Sequence, residues 1–249
     1  MIFEFLEEKR KKNGTQVLAL VDPDSKNDSA LPKIMDIINI SDFDAVLVGG
    51  SSISDDLFEE RITYINNNTD LPVIIFPGDS SQLSKNVDAI LFLSLLSGRN
   101  PKYLVEEQVL SSMYIYRNKL EAIPTGYLLF KTDKKSAVEK VSNTQPLDMT
   151  DKDNVISHAL AAQYMGNKLL FLECGSDSNL TIAPDLLNEI TQHVDIPVMV
   201  GGGIKNKEMA ISLAKSGASY LVIGSLIEQT LNSDLTIQIN SAIRSFNEN

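Results

Sequence analysis

Eight short apolar segments alternate with segments of helical pattern along this chain, and this alternation constrains the fold more than any other feature. Most of the short segments are continuously apolar, which is typical of strands buried on both faces of a parallel sheet. Strands are predicted at 16–21, 45–48, 73–76, 89–93, 125–130, 169–172, 196–200 and 220–223. Helices are predicted at 3–12, 31–39, 55–66, 103–119, 154–165, 184–193, 207–216 and 234–246, with short helices before strand four and within 131–154.

This order of strands and helices predicts an α/β fold, a closed (β/α)₈ or TIM barrel formed by a single domain over residues 1–249. The length agrees with the roughly 250 residues that such barrels need. The alternative is an open doubly wound sheet, which usually carries a GxGxxG turn after its first strand. Strand one is followed instead by Asp22-Pro23-Asp24, which favours the barrel.

Glycine turns follow the last two predicted strands. Gly201, Gly202 and Gly203 follow strand seven, and Gly224 and Ser225 follow strand eight. Glycine permits close approach of the backbone to a ligand, and helix N-termini after such turns favour anions. Barrels of this type commonly bind phosphate after strands seven and eight. The turns therefore predict a phosphate cup; the alternative is that they only form tight turns.

The formal net charge of −11 argues against nonspecific binding to nucleic acid, but it permits an anionic substrate in a local site. A single cysteine excludes an intrachain disulfide and agrees with a reducing cytoplasm. The acidic N-terminus does not resemble a signal peptide, and the longest apolar run, 89–96, is too short to span a bilayer. The basic run at 9–12 is interpreted as a solvated face of the first helix, with contact to anionic lipid as the alternative.

Carboxylates and hydroxyls predominate among the polar residues at the predicted strand ends. Both histidines, His158 and His193, fall on predicted helices, which argues against a histidine base or a histidine-bound zinc. Carboxylates and hydroxyls suit a hard cation such as Mg²⁺, and Asp22 and Ser51 end neighbouring strands. They are the predicted metal ligands. A turn or helix-cap role is the alternative for Asp22, and the role of Asp24 is left open.

Glu173 is the predicted acid or base, because it follows a wholly apolar strand and precedes Gly175 and Ser176. General-base assistance typically contributes about 10²–10⁴-fold to a rate. The alternative is a structural hydrogen-bonding role. Cys174 has no histidine partner at a strand end, so it is predicted to be a small buried residue and not a nucleophile.

Taken together, these motifs resemble those of the geranylgeranylglyceryl phosphate synthase family, which includes bacterial heptaprenylglyceryl phosphate synthases. The resemblance covers nearly the whole chain in order. Its more specific elements are Asp22-Pro23-Asp24, Gly49-Gly50-Ser51, Ser97-Gly98-Arg99-Asn100-Pro101 and Leu172-Glu173-Cys174-Gly175-Ser176.

The resemblance implies a prenyltransferase that joins sn-glycerol 1-phosphate to a long prenyl diphosphate such as geranylgeranyl diphosphate, with Mg²⁺ as cofactor. It implies that Asp22 and Ser51 hold the metal and that Glu173 takes or orients the glycerol hydroxyl proton. The residues that it assigns to glycerol phosphate are Phe171, Leu172, Glu173, Cys174, Gly175, Ser176, Asp177, Gly201, Gly202, Gly203, Gly224 and Ser225. The residues expected to line an apolar groove for the prenyl chain are Phe76, Pro77, Leu95, Leu96, Tyr103 and Tyr127.

The resemblance further implies a cytoplasmic homo-oligomer, either a dimer or a hexamer, that makes transient contact with a membrane surface. The sequence departs from the family pattern where Phe171 replaces a common tyrosine, Asp177 a glycine and Ser225 an asparagine. No lysine directly precedes Asp22, so phosphate binding is expected to rest on backbone amides. The alternatives are a barrel enzyme that uses the same cup for FMN or a sugar phosphate, and a phosphate-binding protein without catalytic activity.

Overall fold

Eight parallel strands form a closed barrel in the computed structural model, which describes residues 1–50, 55–175 and 178–248. The strands are β1 Gln16–Val21, β2 Ala45–Val48, β3 Val73–Ile75, β4 Ala89–Leu95, β5 Glu121–Leu129, β6 Leu169–Glu173, β7 Val198–Gly201 and β8 Tyr220–Ile223. Neighbouring strands pair in chain order, and β8 pairs with β1 so that Gln16 lies opposite Tyr220. The predicted TIM barrel is confirmed, and the open doubly wound sheet is excluded.

Ten α-helices accompany these strands in the described part of the chain. They are α1 Ile2–Asn13, α2 Leu31–Ile40, α3 Phe58–Asn67, α4 Glu107–Asn118, α5 Ala137–Ser142, α6 Lys152–Tyr164, α7 Pro184–His193, α8 Lys207–Lys215, α9 Ser225–Thr230 and α10 Ser233–Asn247. A 3₁₀ turn at Ser25–Asn27 precedes α2, and a π-helical turn at Lys102–Glu106 precedes α4. Over the described residues, no helix combines the length and the apolar character that crossing a membrane requires.

The connection from β3 to β4, which the structure describes completely, contains no helix, so the short helix predicted there is wrong. This connection is built from turns instead. The Asp79 carboxylate accepts a hydrogen bond from the Ser81 backbone N–H at 2.9 Å. Side chains that bond to nearby backbone in this way compete with helical hydrogen bonding. The Gln82 side chain then donates to the Gly50 carbonyl at 2.8 Å, which ties this connection to the end of β2.

Successive strand residues point alternately into the barrel and towards the helices, and both directions are buried. Leu18, Leu47 and Phe171 belong to the cluster inside the barrel. Val46 and Leu172 belong to the layer between the strands and the helices. Burial on both sides explains why the strands are continuously apolar in sequence.

Helix α1 closes the barrel at the amino ends of the strands. Its Leu6 is buried within the interior cluster, and the Phe3 backbone N–H donates to Glu121 at 3.1 Å. The Tyr220 hydroxyl, at the start of β8, donates to Glu7 at 2.6 Å. The opposite end, where the strands finish, is the end that remains available for ligands.

The basic run near the end of α1 has two roles. Lys9 forms a 2.6 Å ion pair with the fully buried carboxylate of Asp44, whose second oxygen accepts from Arg244 of α10 at 2.9 Å. Lys11 and Lys12 are exposed. The interpretation of this run as a solvated helix face is therefore correct for these two lysines and wrong for Lys9.

Candidate functional site

Two adjoining pockets open at the carboxyl ends of the strands, where the active sites of TIM barrels lie. The first, here called the groove, is largely apolar, and its lining includes Asp22, Phe76, Tyr103, Tyr127, Val138 and Glu228. The second, here called the cup, includes Lys134, Lys135, Lys140, Gly202, Gly203 and Lys205. The residues that line both pockets are Leu20, Glu173, Gly224 and Ser225.

Glycine is required in the turn that follows β7. Gly202 and Gly203 have φ angles of 85° and 75°, a region that disfavours residues with a Cβ atom. A Cβ atom on Gly203 would lie 2.2 Å from the Leu180 carbonyl oxygen, and one on Gly202 would lie 2.8 Å from the Gly175 nitrogen. The backbone therefore passes closer to its neighbours than any other residue type would allow.

Helix α8 begins only at Lys207, and the Asn206 side chain accepts from the Met209 N–H at 2.9 Å. Asn206 is thus the N-cap of α8. Because this side chain occupies the helix end, any anion in the cup would be bound by the glycine turn and the surrounding side chains. The expected contribution of the α8 dipole is therefore smaller than the sequence suggests.

Glu173 ends β6 and lies at the junction of the cup and the groove. Its carboxylate accepts a hydrogen bond from the Gly175 backbone N–H. Burial raises the pKa of this carboxyl to about 7, although the hydrogen bond opposes the change. A carboxyl with a pKa near neutrality is well suited to exchange protons with a substrate.

The residues on either side of Glu173 alternate in direction. Phe171 points into the barrel, with its ring centroid 5.1 Å from that of Phe76 and 5.3 Å from that of Tyr127. These three rings form part of the apolar interior beneath the groove. Cys174 and Leu172 instead point towards the helices, and burial raises the pKa of the Cys174 thiol. These two residues can contribute only backbone atoms to the site, and Cys174 is the buried residue that was predicted.

Asp22 follows β1 and carries a buried oxygen atom that no described residue satisfies. Its Oδ2 accepts from the Lys26 ammonium group, while its Oδ1 has no hydrogen-bond partner among those residues. Burial is the main cause that raises the pKa of Asp22, and Lys26 opposes it. A buried, unsatisfied carboxylate oxygen is the type of ligand that Mg²⁺ prefers, so Asp22 fits the predicted cation. The other predicted ligand, Ser51, lies outside the described residues.

Glu228 lies beside Asp22, and its position in the structure differs from the role that its spacing in the sequence indicates. The spacing of Ser225 and Glu228 predicts a capping box, but α9 begins at Ser225 with Gly224 in the N-cap position. The Glu228 carboxylate accepts from the Asp22 backbone N–H at 2.8 Å and from Asn27 at 3.0 Å. Burial raises the pKa of Glu228. No group of three or more metal-ligating side chains exists in the described ranges, so any cation would complete its shell with water and substrate.

Five of the six residues predicted to line a groove for an apolar chain do so. They are Phe76, Pro77, Leu95, Tyr103 and Tyr127. The prediction for Leu96 is wrong, because this side chain lies in the outer layer, where Gly126 lets it pack closely. Leu96 follows the last residue of β4, and neighbouring residues of a strand face opposite sides.

The sequence matches a family of proteins over nearly its whole length: the model of the PcrB family covers residues 7–243. The chain belongs to the PcrB family. A geranylgeranylglyceryl phosphate synthase of Flavobacterium johnsoniae is 42% identical over 219 residues, which cover 88% of this chain and 90% of that protein. The geranylgeranylglyceryl phosphate synthase of Thermoplasma volcanium is 35% identical over 225 residues, or 90% and 88% of the two chains. The family resemblance stated from the motifs is confirmed.

The fold also matches solved members of this family. The crystal structure of (S)-3-O-geranylgeranylglyceryl phosphate synthase from Thermoplasma acidophilum in complex with sn-glycerol-1-phosphate superposes with a TM-score of 0.92 at 35% identity. The match covers 98% of this chain and 99% of that one. Thiamine phosphate pyrophosphorylase from Pyrococcus furiosus, at 14% identity and a TM-score of 0.61, shares the fold alone.

In this PcrB family protein, most of the predicted site residues gather at one end of the barrel. Asp22, Glu173, Gly175, Gly224 and Ser225 line the groove. Glu173, Gly224 and Ser225 also line the cup, together with Gly202 and Gly203. Gly201 is the last residue of β7 and lies beside the Phe171 ring. Ser176 and Asp177 lie outside the described residues. His158 and His193 lie on α6 and α7 and line neither pocket.

Sequence reasoning about this PcrB family protein missed three features of the site. They are Glu228, Lys26 and the lysines around the cup. The first had a sequence signal, since it lies one helical turn after the last strand end. Lys205 had one too, since it lies two residues after the glycine turn that follows strand seven. Lys134, Lys135 and Lys140 had none, because 131–154 reads only as a polar, charged connection until the fold brings it beside β6.

Proposed function

We propose that this protein transfers the prenyl group of a prenyl diphosphate to sn-glycerol 1-phosphate and releases diphosphate. The observation that supports the proposal best is the position of Glu173. It is the only titratable side chain, within the described ranges, that lines both the cup and the groove. A proton acceptor is needed at the point where the hydroxyl of one substrate meets the reacting carbon of the other.

In the proposed reaction, the cup holds the phosphate of glycerol phosphate and the groove holds the prenyl chain. The glycerol oxygen forms a bond to the first carbon of the prenyl group while the bond from that carbon to diphosphate breaks. The hydroxyl proton passes to the Glu173 carboxylate. Because burial keeps the pKa of this group near 7, a substantial fraction is ionised at neutral pH and ready to accept the proton.

The diphosphate is proposed to lie at the end of the groove that contains Asp22. There Asp22 and Ser51 would hold Mg²⁺, which would supply electrophilic stabilisation of the departing diphosphate. The unsatisfied Asp22 Oδ1 supports this assignment. Lys26, which contacts the other oxygen of Asp22, can contribute a further positive charge beside the same group.

Geranylgeranyl diphosphate is the proposed donor, because the similar proteins named above are geranylgeranylglyceryl phosphate synthases. Cytoplasmic location, assembly into a dimer or hexamer and transient contact with a membrane surface remain predictions. No specific observation supports FMN or a sugar phosphate as the ligand, since the likeness to barrels outside the family is one of fold alone.

A radiometric assay tests the proposal. Purified protein is incubated with labelled sn-glycerol 1-phosphate, Mg²⁺ and prenyl diphosphates of increasing length, and sn-glycerol 3-phosphate serves as the control. We expect a butanol-extractable labelled product with the 1-phosphate only, and most product with a twenty-carbon donor. Absence of product with every donor would contradict the proposed activity.

A further inference from the structure

The cup is surrounded by cations that come from two separate parts of the chain. Lys134 and Lys135 lie on the connection after β5, Lys140 lies on α5, and Lys205 follows the glycine turn after β7. Glu173 is the only carboxylate among the described residues that line the cup. The whole chain has a net charge of −11, so this local positive excess is opposite in sign to the chain average.

Tertiary contacts hold the lysine-bearing connection beside the cup. The Phe130 backbone N–H donates to the Glu173 carbonyl at 2.9 Å. A Cβ atom on Gly175 would lie only 3.1 Å from the Cβ of Ser136, so the two backbones are in close contact there. The Ser178 hydroxyl donates to Asp133 at 3.4 Å. The lysines are therefore brought next to the glycine turn by the fold, although they are far from it in sequence.

These lysines keep most of their charge available for a ligand. Of the four, within the described ranges, only Lys135 forms an ion pair, a 3.9 Å contact with Glu139 in which the lysine is 77% exposed. An exposed pair of this kind is weak. Lys205 donates to the uncharged side chain of Asn179. The positive charges of these lysines therefore remain available to an anion in the cup.

We propose that Lys134, Lys135, Lys140 and Lys205 form a cationic rim that sets the affinity of the cup for a phosphate monoester dianion. This inference rests on the proposed function, because the monoester in question is that of glycerol phosphate. It adds side-chain charges to the backbone amides on which phosphate binding is expected to rest. A cationic rim attracts the dianion over a distance, so binding should weaken as salt increases.

Isothermal titration calorimetry of the full chain, without divalent metal, tests the rim directly. The ligands are sn-glycerol 1-phosphate and inorganic phosphate. The main variant carries Lys134→Met, Lys135→Met and Lys140→Met together, and a second variant carries Arg at the same three positions. Lys168→Met is the matched control, since Lys168 is exposed and lies at the amino end of β6, at the far end of the barrel.

We expect each lysine to contribute about threefold to affinity, so the triple Met variant should bind about 30-fold more weakly, with a smaller salt dependence. The Arg variant, which keeps the charges, and the control should bind within about twofold of the parent protein. Unchanged affinity in the triple Met variant, or an equal loss in the control, would overturn the rim. If phosphate binding depends on the lysines but the parent protein forms no prenyl product, the proposed function fails while the rim stands.

Discussion

The cup and the groove differ in charge although both are proposed to bind phosphates. The cup presents four lysines and one carboxylate among the described residues. Over the same described residues, the groove presents one lysine, Lys26, and five carboxylates, which are Asp22, Asp79, Glu107, Glu173 and Glu228. A phosphate can enter the cup directly, whereas a diphosphate at the acidic groove needs a cation between it and the carboxylates. We therefore expect binding of the prenyl diphosphate to depend on a divalent metal and binding of glycerol phosphate not to depend on it.

Withdrawal of divalent metal should have the largest effect and tests this difference most directly. With EDTA present, we expect prenyl transfer to stop and binding of a non-hydrolysable prenyl diphosphate analogue to weaken by at least about 100-fold. Binding of sn-glycerol 1-phosphate should change by less than about twofold, because the lysines replace the metal there. Calorimetry of each ligand alone measures both. If the affinities of both ligands depended equally on the metal, the proposed difference between the cup and the groove would be wrong.

The variant Asp22→Asn tests the same difference between the groove and the cup at a single residue. It removes the charge next to the buried Oδ1, so we expect Mg²⁺-dependent turnover to fall by about 100-fold or more while the affinity for glycerol phosphate is retained. Asp36→Asn is the matched control, because Asp36 is exposed on α2 and lies in neither pocket. A loss of glycerol phosphate binding in Asp22→Asn would show that the two pockets are not independent.

Glu173 belongs to both pockets, so its replacement should affect the step that joins them. In Glu173→Gln we expect kcat to fall by about 10²–10⁴-fold, with much smaller changes in the affinity for either substrate. The parent protein should show kcat/KM rising with pH through about 7, since the carboxyl must be ionised to accept a proton. This rise should vanish in the variant. A variant with full activity would remove Glu173 from its proposed role.

The same carboxyl should also make stability depend on pH. Its pKa in the folded protein, about 7, lies above the ordinary 4.5, so the folded protein binds the proton more tightly than the unfolded chain does. The contribution of Glu173 to the free energy of unfolding should therefore be fully present below about pH 4.5 and should fall by roughly 3 kcal/mol as the pH rises through 7. Denaturant unfolding of the parent and Glu173→Gln at pH 5 and pH 8 measures the difference. A parent protein and variant with the same pH dependence would contradict the burial of a titrating group.

A pair of glycine substitutions should give the smallest effect and separates steric contact from backbone conformation. Gly203→Ala and Gly166→Ala both place alanine at positive φ, 75° and 88° respectively. A Cβ atom at Gly166 meets nothing within 4 Å, whereas one at Gly203 meets the Leu180 carbonyl. We expect Gly203→Ala to lose about 1–3 kcal/mol more stability and to weaken glycerol phosphate binding. Equal melting temperatures and equal affinities in the two variants would contradict a tightly packed cup.

The fold was predictable because burial on both faces leaves a clear pattern in sequence. The run 16–21 is continuously apolar apart from its first residue and forms β1 with the predicted bounds. The prediction of a helix before β4 was wrong because the side-chain hydrogen bonds of Asp79, which compete with helix formation, depend on the local turn geometry. The assignment of Leu96 to the groove was wrong for a different reason. Strand β4 extends to Leu95, and the side on which the next residue lies depends on where the strand stops.

The candidate site was predictable where strand ends determine it. Glu173 and Asp22 could be identified because the carboxyl ends of parallel strands meet on one face of the barrel. Glu228 was assigned to a cap because spacing along a helix says nothing about a partner some 200 residues away; its carboxylate reaches Asp22 only after the barrel closes. Lys134, Lys135 and Lys140 of the cationic rim escaped prediction for the same reason, since a charged connection has no periodicity that shows which way it will fold.

The hydrogen bond between Asp22 and Glu228 has a consequence for the nascent chain while it is synthesised on the ribosome. It joins the residue after the first strand to a helix after the last one, across the same seam at which β1 pairs with β8. Until β8 has been synthesised, β1 has an unpaired edge, which is a surface prone to self-association in a nascent chain. Closure of the seam protects this edge and brings Glu228 to Asp22 in one event. A partly made chain therefore has neither a sealed sheet nor a complete groove.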